Sequence, residues 1–171
     1  MTRPLAVLVG PMGSGKTAVG KVLAARLGVA LRDTDADIVA EQGRSISDIF
    51  TTDGEPVFRA LERAAVARAV AEHPGVLSLG GGAVLAPETQ AVLGGHAVVL
   101  LTVTAATGVR RTGLDGAGRP MLAGVNPRAT YRALLAARMP VYRQVATVEV
   151  ATDDLGVDEV ADVIIEKLGL A

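Results

Sequence analysis

The residues Gly10-Pro11-Met12-Gly13-Ser14-Gly15-Lys16-Thr17 combine a flexible backbone, a cation and a hydroxyl within eight positions. They follow the pattern G-x-x-x-x-G-K-S/T. A short apolar run at 5–9 precedes them, and Val19, Val22, Leu23 and Leu27 follow at helical spacing. A glycine-rich turn between a strand and a helix presents backbone N–H groups to phosphate oxygens, and the helix N-terminus adds partial positive charge. In that setting Lys16 reaches the β- and γ-phosphates of a nucleotide and the Thr17 hydroxyl ligates Mg2+. We assign Gly13, Ser14, Gly15, Lys16, Thr17 and Ala18 to nucleotide binding. A strand–helix turn that binds nothing is the alternative, and the joint presence of strand, loop, Lys and Thr argues against it.

Two further stretches carry chemistry. Asp33-Thr34-Asp35 offers two carboxylates one residue apart, and Gly80-Gly81-Gly82 offers bare backbone. Asp35 can accept the proton of an attacking hydroxyl; equally, it can cap a helix. The three glycines let a ligand approach the main chain, with the Gly81 N–H as a donor, or they form a flexible turn.

The elements that must hold these residues follow from periodicity. Strands are expected at 5–9, 29–33, 76–79, 97–103 and 147–150. Helices are expected at 16–27, after Asp33-Thr34-Asp35 with Ile38 and Val39 apolar and Gly43 as its cap, at 46–50 behind a Ser45 capping box, and from the Glu55-Pro56 turn to about Glu72. Further helices are expected at 87–93, 105–111, 127–139 with Pro140 at the end, and 157–168. In the long helix Val57, Leu61 and Ala64 mark the inner face, which points Arg59 away from it. Near-regular alternation of strand and helix implies a parallel sheet covered on both faces. Ligands bind such sheets at the carboxyl ends of strands, where all three stretches fall.

Composition narrows the class. The chain has 171 residues, which fits a single domain, 1–171; half are hydrophobic, so a substantial core forms. A net charge of −1 gives no sign of a nucleic-acid or membrane partner, and no cysteine is available for disulfides or thiolate metal sites. Without a signal segment or a spanning apolar run, the expectation is a cytoplasmic protein. The guanine-reading N-K-x-D pattern is absent, which argues against a GTPase.

Taken together, GPMGSGKT, DTD, the FRxxE stretch from Phe58-Arg59 to Glu62, SLGGGAV, RRT…RPML and ARMPVYRQVA resemble the shikimate kinase family, in order and approximate spacing. These motifs span residues 10–145. The resemblance implies a three-layer α/β/α P-loop kinase fold with a five-stranded parallel sheet, substrate-binding helices and a mobile lid. The substrate-binding region falls at about 33–61 and the lid at about 112–124. It implies transfer of the γ-phosphoryl of ATP to the 3-hydroxyl of shikimate, with ATP and Mg2+ required, by a monomer. Residue by residue, Thr17 and Asp33 match the metal-supporting pair, and Asp35 the carboxylate that binds substrate hydroxyls. Arg59 and Arg138 match arginines that grip the shikimate carboxylate, and Gly80, Gly81 and Gly82 the substrate loop. Arg119 matches the lid arginine that reaches the ATP phosphates, and Arg111 a residue packing on adenine. Phe50 and Phe58 match residues near the substrate ring, although core packing explains them as well. One departure is Ala151, where relatives carry an aspartate beside adenine. The competing readings are a P-loop kinase of another polyol acid such as gluconate, and a non-catalytic ATP-binding sensor.

Overall fold

A computed structural model describes residues 2–112 and 126–170. Strands β1 (Ala6–Val9), β2 (Leu31–Asp33), β3 (Val76–Ser78), β4 (Val98–Thr102) and β5 (Val148–Ala151) form one parallel sheet in the order β2-β3-β1-β4-β5. Every residue of β1 and β3 is buried, as is β4 up to Leu101, which is why these runs read as continuously apolar. Successive side chains still take opposite faces. Ala6 and Leu8 pack with Val19 and Leu23 of α1 (Lys16–Leu27) and with Val160 and Ile164 of α8 (Val157–Leu168). Val7 and Val9 pack on the other face, with Val66 and Val70 of α4 (Glu55–Glu72), Leu93 of α5 (Pro87–Leu93) and Tyr142 of α7 (Pro127–Val145). The layers are therefore helix, sheet, helix.

Above the sheet edge sit α2 (Thr34–Gln42) and α3 (Ile46–Asp53), joined to α4 through Ile38, Ile49 and Phe58. α6 (Ala105–Thr112) packs on α7 through Val109 and Tyr131. Gly28 and Gly43 stop α1 and α2 in the left-handed conformation, each at φ 67°, which a side chain resists. The Ser45 hydroxyl caps α3 by accepting the Asp48 N–H, one half of the expected capping box.

Two expectations about helices fail. The inner face of α4 is Phe58, Glu62, Ala65, Val66, Ala69 and Val70, while Val57 and Ala64 are exposed. Glu62 sits in the middle of that face, so a search for apolar periodicity slips by one residue. Pro140 does not end its helix: α7 runs through it to Val145. The missing N–H and the ring clash cost about 3 kcal/mol or more in a helix interior. Burial of Tyr142, 1% exposed, together with Met139, Val141 and Val145 against the core, holds the last turn in place.

Candidate active site

The carboxyl end of β1 turns sharply into the loop. Gly10 has φ 148°, and a Cβ there would lie 2.4 Å from the Leu101 carbonyl oxygen of the neighbouring strand. Gly15 (φ 93°) is the N-cap of α1. Lys16 Nζ donates to the carbonyls of Gly10 (2.7 Å) and Pro11 (3.1 Å), so its ammonium lies across the loop mouth. Thr17 Oγ1 donates to Asp33 Oδ2 at 3.4 Å. The other oxygen of Asp33 caps α2, accepting the N–H groups of Asp35 (2.8 Å) and Ala36 (3.4 Å). One carboxylate thus begins a helix and faces the loop hydroxyl at once. Thr17 and Asp33 are hard oxygen donors of the kind Mg2+ takes. Mg2+ uses one or two protein groups together with phosphates and waters rather than an all-protein cage.

Asp35 enters from the first turn of α2 and is partly buried, and its Oδ1 has no hydrogen-bond partner among the described residues. Burial, then the nearby charges of Asp33 and Glu62, push its pKa up to about 6, against the pull of Lys16 and Arg59. Glu62 is 3% exposed. Burial raises its pKa as well, while Arg59 and Arg138 hold it down. Arg59 Nη1 donates to Glu62 Oε1 at 2.8 Å, and its Nε donates to Glu55 Oε2 at 3.2 Å. Its guanidinium carbon lies 5.2 Å from the Phe58 ring centroid and 6.0 Å from that of Phe50. The two rings pack tilted, 4.9 Å apart. Arg138, from α7, is 6% exposed and faces the same space.

These groups surround one cavity of about 420 Å³, lined by Gly13, Gly15, Lys16, Thr17 and Ala18 of the loop and by Asp35, Arg59 and Arg138. The triple glycine lines it, and at Gly80 and Gly82 a side chain would meet the groups that face the cavity. A Cβ on Gly80 would fall 2.8 Å from Asp35 Oδ1 and 2.9 Å from Glu62 Oε2, and one on Gly82 would fall 2.7 Å from the Arg59 guanidinium. Gly80→Ala is therefore expected to destabilise the protein by about 1 kcal/mol, the low end of overpacking because both carboxylates can give way, read as a lowered urea midpoint with unchanged slope.

The structure thus brings together Gly13, Gly15, Lys16, Thr17, Ala18, Asp33, Asp35, Arg59, Gly80, Gly81, Gly82 and Arg138. Ser14 is in the same loop, 1% exposed. Arg111 lies outside the cavity. It bonds the Gly13 carbonyl (3.1 Å), the Thr152 hydroxyl (2.9 Å) and the Thr152 carbonyl (2.9 Å), tying the phosphate loop to the segment after β5. Arg119 and the 113–124 part of the expected lid fall outside the described residues. Glu62 closes the FRxxE stretch but has no role of its own in the family resemblance. The sequence signal for it is a glutamate at a helix position with apolar Phe58 and Val66 at i−4 and i+4.

A parallel sheet with a phosphate loop after its central strand, a carboxylate pair at the next edge and a cationic far wall defines a P-loop small-molecule kinase. The family model for shikimate kinase matches residues 12–169, and the chain belongs to that family. It is 61% identical over 165 residues to the shikimate kinase of Saccharopolyspora erythraea, covering 96% of this chain and 94% of that protein. With the shikimate kinase of Mycobacterium tuberculosis it shares 56% identity over 150 residues, 88% of this chain and 85% of the relative. The shikimate kinase from Acinetobacter baumannii, solved in complex with shikimate, superposes with a TM-score of 0.93 at 34% identity, covering 98% of this chain and 93% of that one. A gluconokinase from Sinorhizobium meliloti reaches a TM-score of 0.56 at 19% identity, a likeness of fold alone.

Proposed function

We propose that this chain transfers the γ-phosphoryl of ATP to the 3-hydroxyl of shikimate, yielding shikimate 3-phosphate and ADP for aromatic amino-acid biosynthesis. The observation that carries the reading is the convergence of two arginines, half-buried Arg59 and buried Arg138, on the same cavity as Asp35 and the phosphate loop. Two guanidinium forks suit one carboxylate, and a carboxylate of raised pKa suits a hydroxyl that must lose a proton.

In this reading Arg59, Arg138 and the triple glycine seat shikimate by its carboxylate and ring oxygens. The 3-hydroxyl oxygen then attacks the γ-phosphorus in line as the bond to the β–γ bridging oxygen breaks. The leaving charge is carried to ADP, and the hydroxyl proton passes to Asp35. Phosphoryl transfer through a loose transition state needs positioning more than a strong base, so Asp35 acts chiefly by orienting the hydroxyl. Lys16 and the loop N–H groups hold the phosphates. Thr17 and Asp33 would hold Mg2+, which supplies charge neutralisation at the phosphates when bound. Arg111 supports the adenine side, and Arg119, outside the described residues, is the arginine that the family resemblance assigns to the ATP phosphates.

Asp35 must be ionised in the free enzyme to take this part. With its pKa near 6, kcat/KM is expected to fall about tenfold per unit below that pH while staying level above it, as a pH–rate profile from pH 5 to 8 will read.

The test of the assignment is ADP release from MgATP with shikimate, gluconate or a nucleoside monophosphate as acceptor. Release that depends on shikimate alone is expected. Release indifferent to shikimate, or equal with gluconate, contradicts the assignment.

A further inference from the structure

Behind the cavity, α7 carries Tyr131, Arg138 and Tyr142 at i, i+7 and i+11, spacings that return to one face of a helix. Arg138 reaches the cavity, but the tyrosines do not line it. Each instead meets the back of a loop that does. Tyr131, 2% exposed, donates its hydroxyl to the Met12 carbonyl at 2.6 Å. Tyr142, 1% exposed, donates to the Gly81 carbonyl at 2.5 Å. Burial raises the pKa of both phenols, with Arg138 opposing it at Tyr142, so each remains a protonated donor. The two loops also touch. Met12 lies against Gly81, its Cγ 3.6 Å from where a Cβ on that glycine would sit.

A planar trans peptide points its C=O and the next residue's N–H in opposite directions. Holding the Met12 carbonyl toward α7 therefore turns the Gly13 N–H away from α7, and holding the Gly81 carbonyl does the same for the Gly82 N–H. Gly13 and Gly82 both line the cavity. α6 gives up a side chain to permit the first of these bonds: a Cβ on Gly108 would fall 2.1 Å from the Tyr131 hydroxyl.

We propose that Tyr131 and Tyr142 are positioning residues, Tyr131 aiming the Gly13 N–H at the ATP phosphates and Tyr142 aiming the Gly82 N–H at shikimate, with α7 fixing one loop relative to the other. The inference rests on the reading of the cavity as the ATP and shikimate site. It separates two substrates by two hydroxyls on one helix, which packing alone would not do.

The test is steady-state kinetics of Tyr131→Phe and Tyr142→Phe with each substrate varied, beside thermal melts. Tyr142→Phe is expected to raise KM for shikimate about five- to twentyfold and leave KM for MgATP within about twofold, and Tyr131→Phe to do the reverse. Both KM values unchanged in both variants, or rising together in step with a lowered Tm, overturn the proposal. Amide NMR gives a second reading on folded protein. Shikimate should shift the Gly82 N–H strongly in wild type and weakly in Tyr142→Phe, and equal shifts overturn it as well. A wild type without shikimate-dependent ADP release brings down the functional reading instead, and needs no variant to show it.

Discussion

Exchanging Asp35 for asparagine lowers kcat by about 10²–10⁴-fold, the range for a positioned acid–base group, while making the free protein more stable at neutral pH. Both effects have one origin. The carboxylate sits partly buried, beside Asp33 and Glu62, with one oxygen unpartnered, and its pKa stands at about 6 instead of 3.8. A raised folded-state pKa means that the native protein holds this proton more tightly than the unfolded chain does. The wild type therefore loses stability as pH rises from about 4 to about 6. A shift of roughly two units corresponds to about 2–3 kcal/mol at pH 7. Asparagine does not titrate. Denaturation of the two proteins should agree in excess stability below pH 4, diverge through pH 4–6, and differ by up to about 2–3 kcal/mol above it. Equal stability at pH 7 together with full loss of activity would mean that the neighbouring cations already neutralise Asp35 in the free protein.

Replacing Arg59 by alanine carries the second large effect, a fall in kcat/KM for shikimate of about 10²–10³-fold, as expected for a lost bidentate carboxylate contact. The same change removes the closest partner of Glu62, which is 3% exposed and bonded to Arg59 at 2.8 Å. Breaking a buried pair from one side costs about 3–5 kcal/mol. Arg138 remains near, Arg59 is itself only half-buried, and Glu62 can take up a proton, so a loss below that range, about 2–3 kcal/mol, is expected here. The double variant Arg59→Ala with Glu62→Gln separates the two consequences. It should recover most of the stability and none of the shikimate affinity. Recovery of both would assign Arg59 a structural part only.

Much of this site was legible in the sequence because its residues lie at strand ends, where type and spacing are tightly constrained. The phosphate loop, Asp33 and Gly80–Gly82 sit at the carboxyl ends of β1, β2 and β3 in the order read from the alternating pattern. What the pattern misplaced has physical causes. Glu62 occupies a core position of α4 because Arg59 pairs with it, and a polar residue inside an apolar stripe shifts the apparent face by one. Pro140 reads as a helix end because a local rule disfavours it, but tertiary packing of Tyr142 carries the helix onward. The sheet order β2-β3-β1-β4-β5 depends on contacts distant in sequence and has no local signature. The hydroxyl bonds of Tyr131 and Tyr142 to loops 119 and 61 residues away are invisible for the same reason.

The most direct measurement compares ADP release from MgATP at increasing shikimate with release at increasing shikimate carboxamide, which keeps every ring hydroxyl and removes only the negative charge. The account predicts saturable release with the acid and at least about 100-fold lower kcat/KM with the amide, because Arg59 and Arg138 are left facing a neutral group. Equal dependence on the two compounds would contradict the carboxylate grip, and release that responds to neither would contradict the kinase.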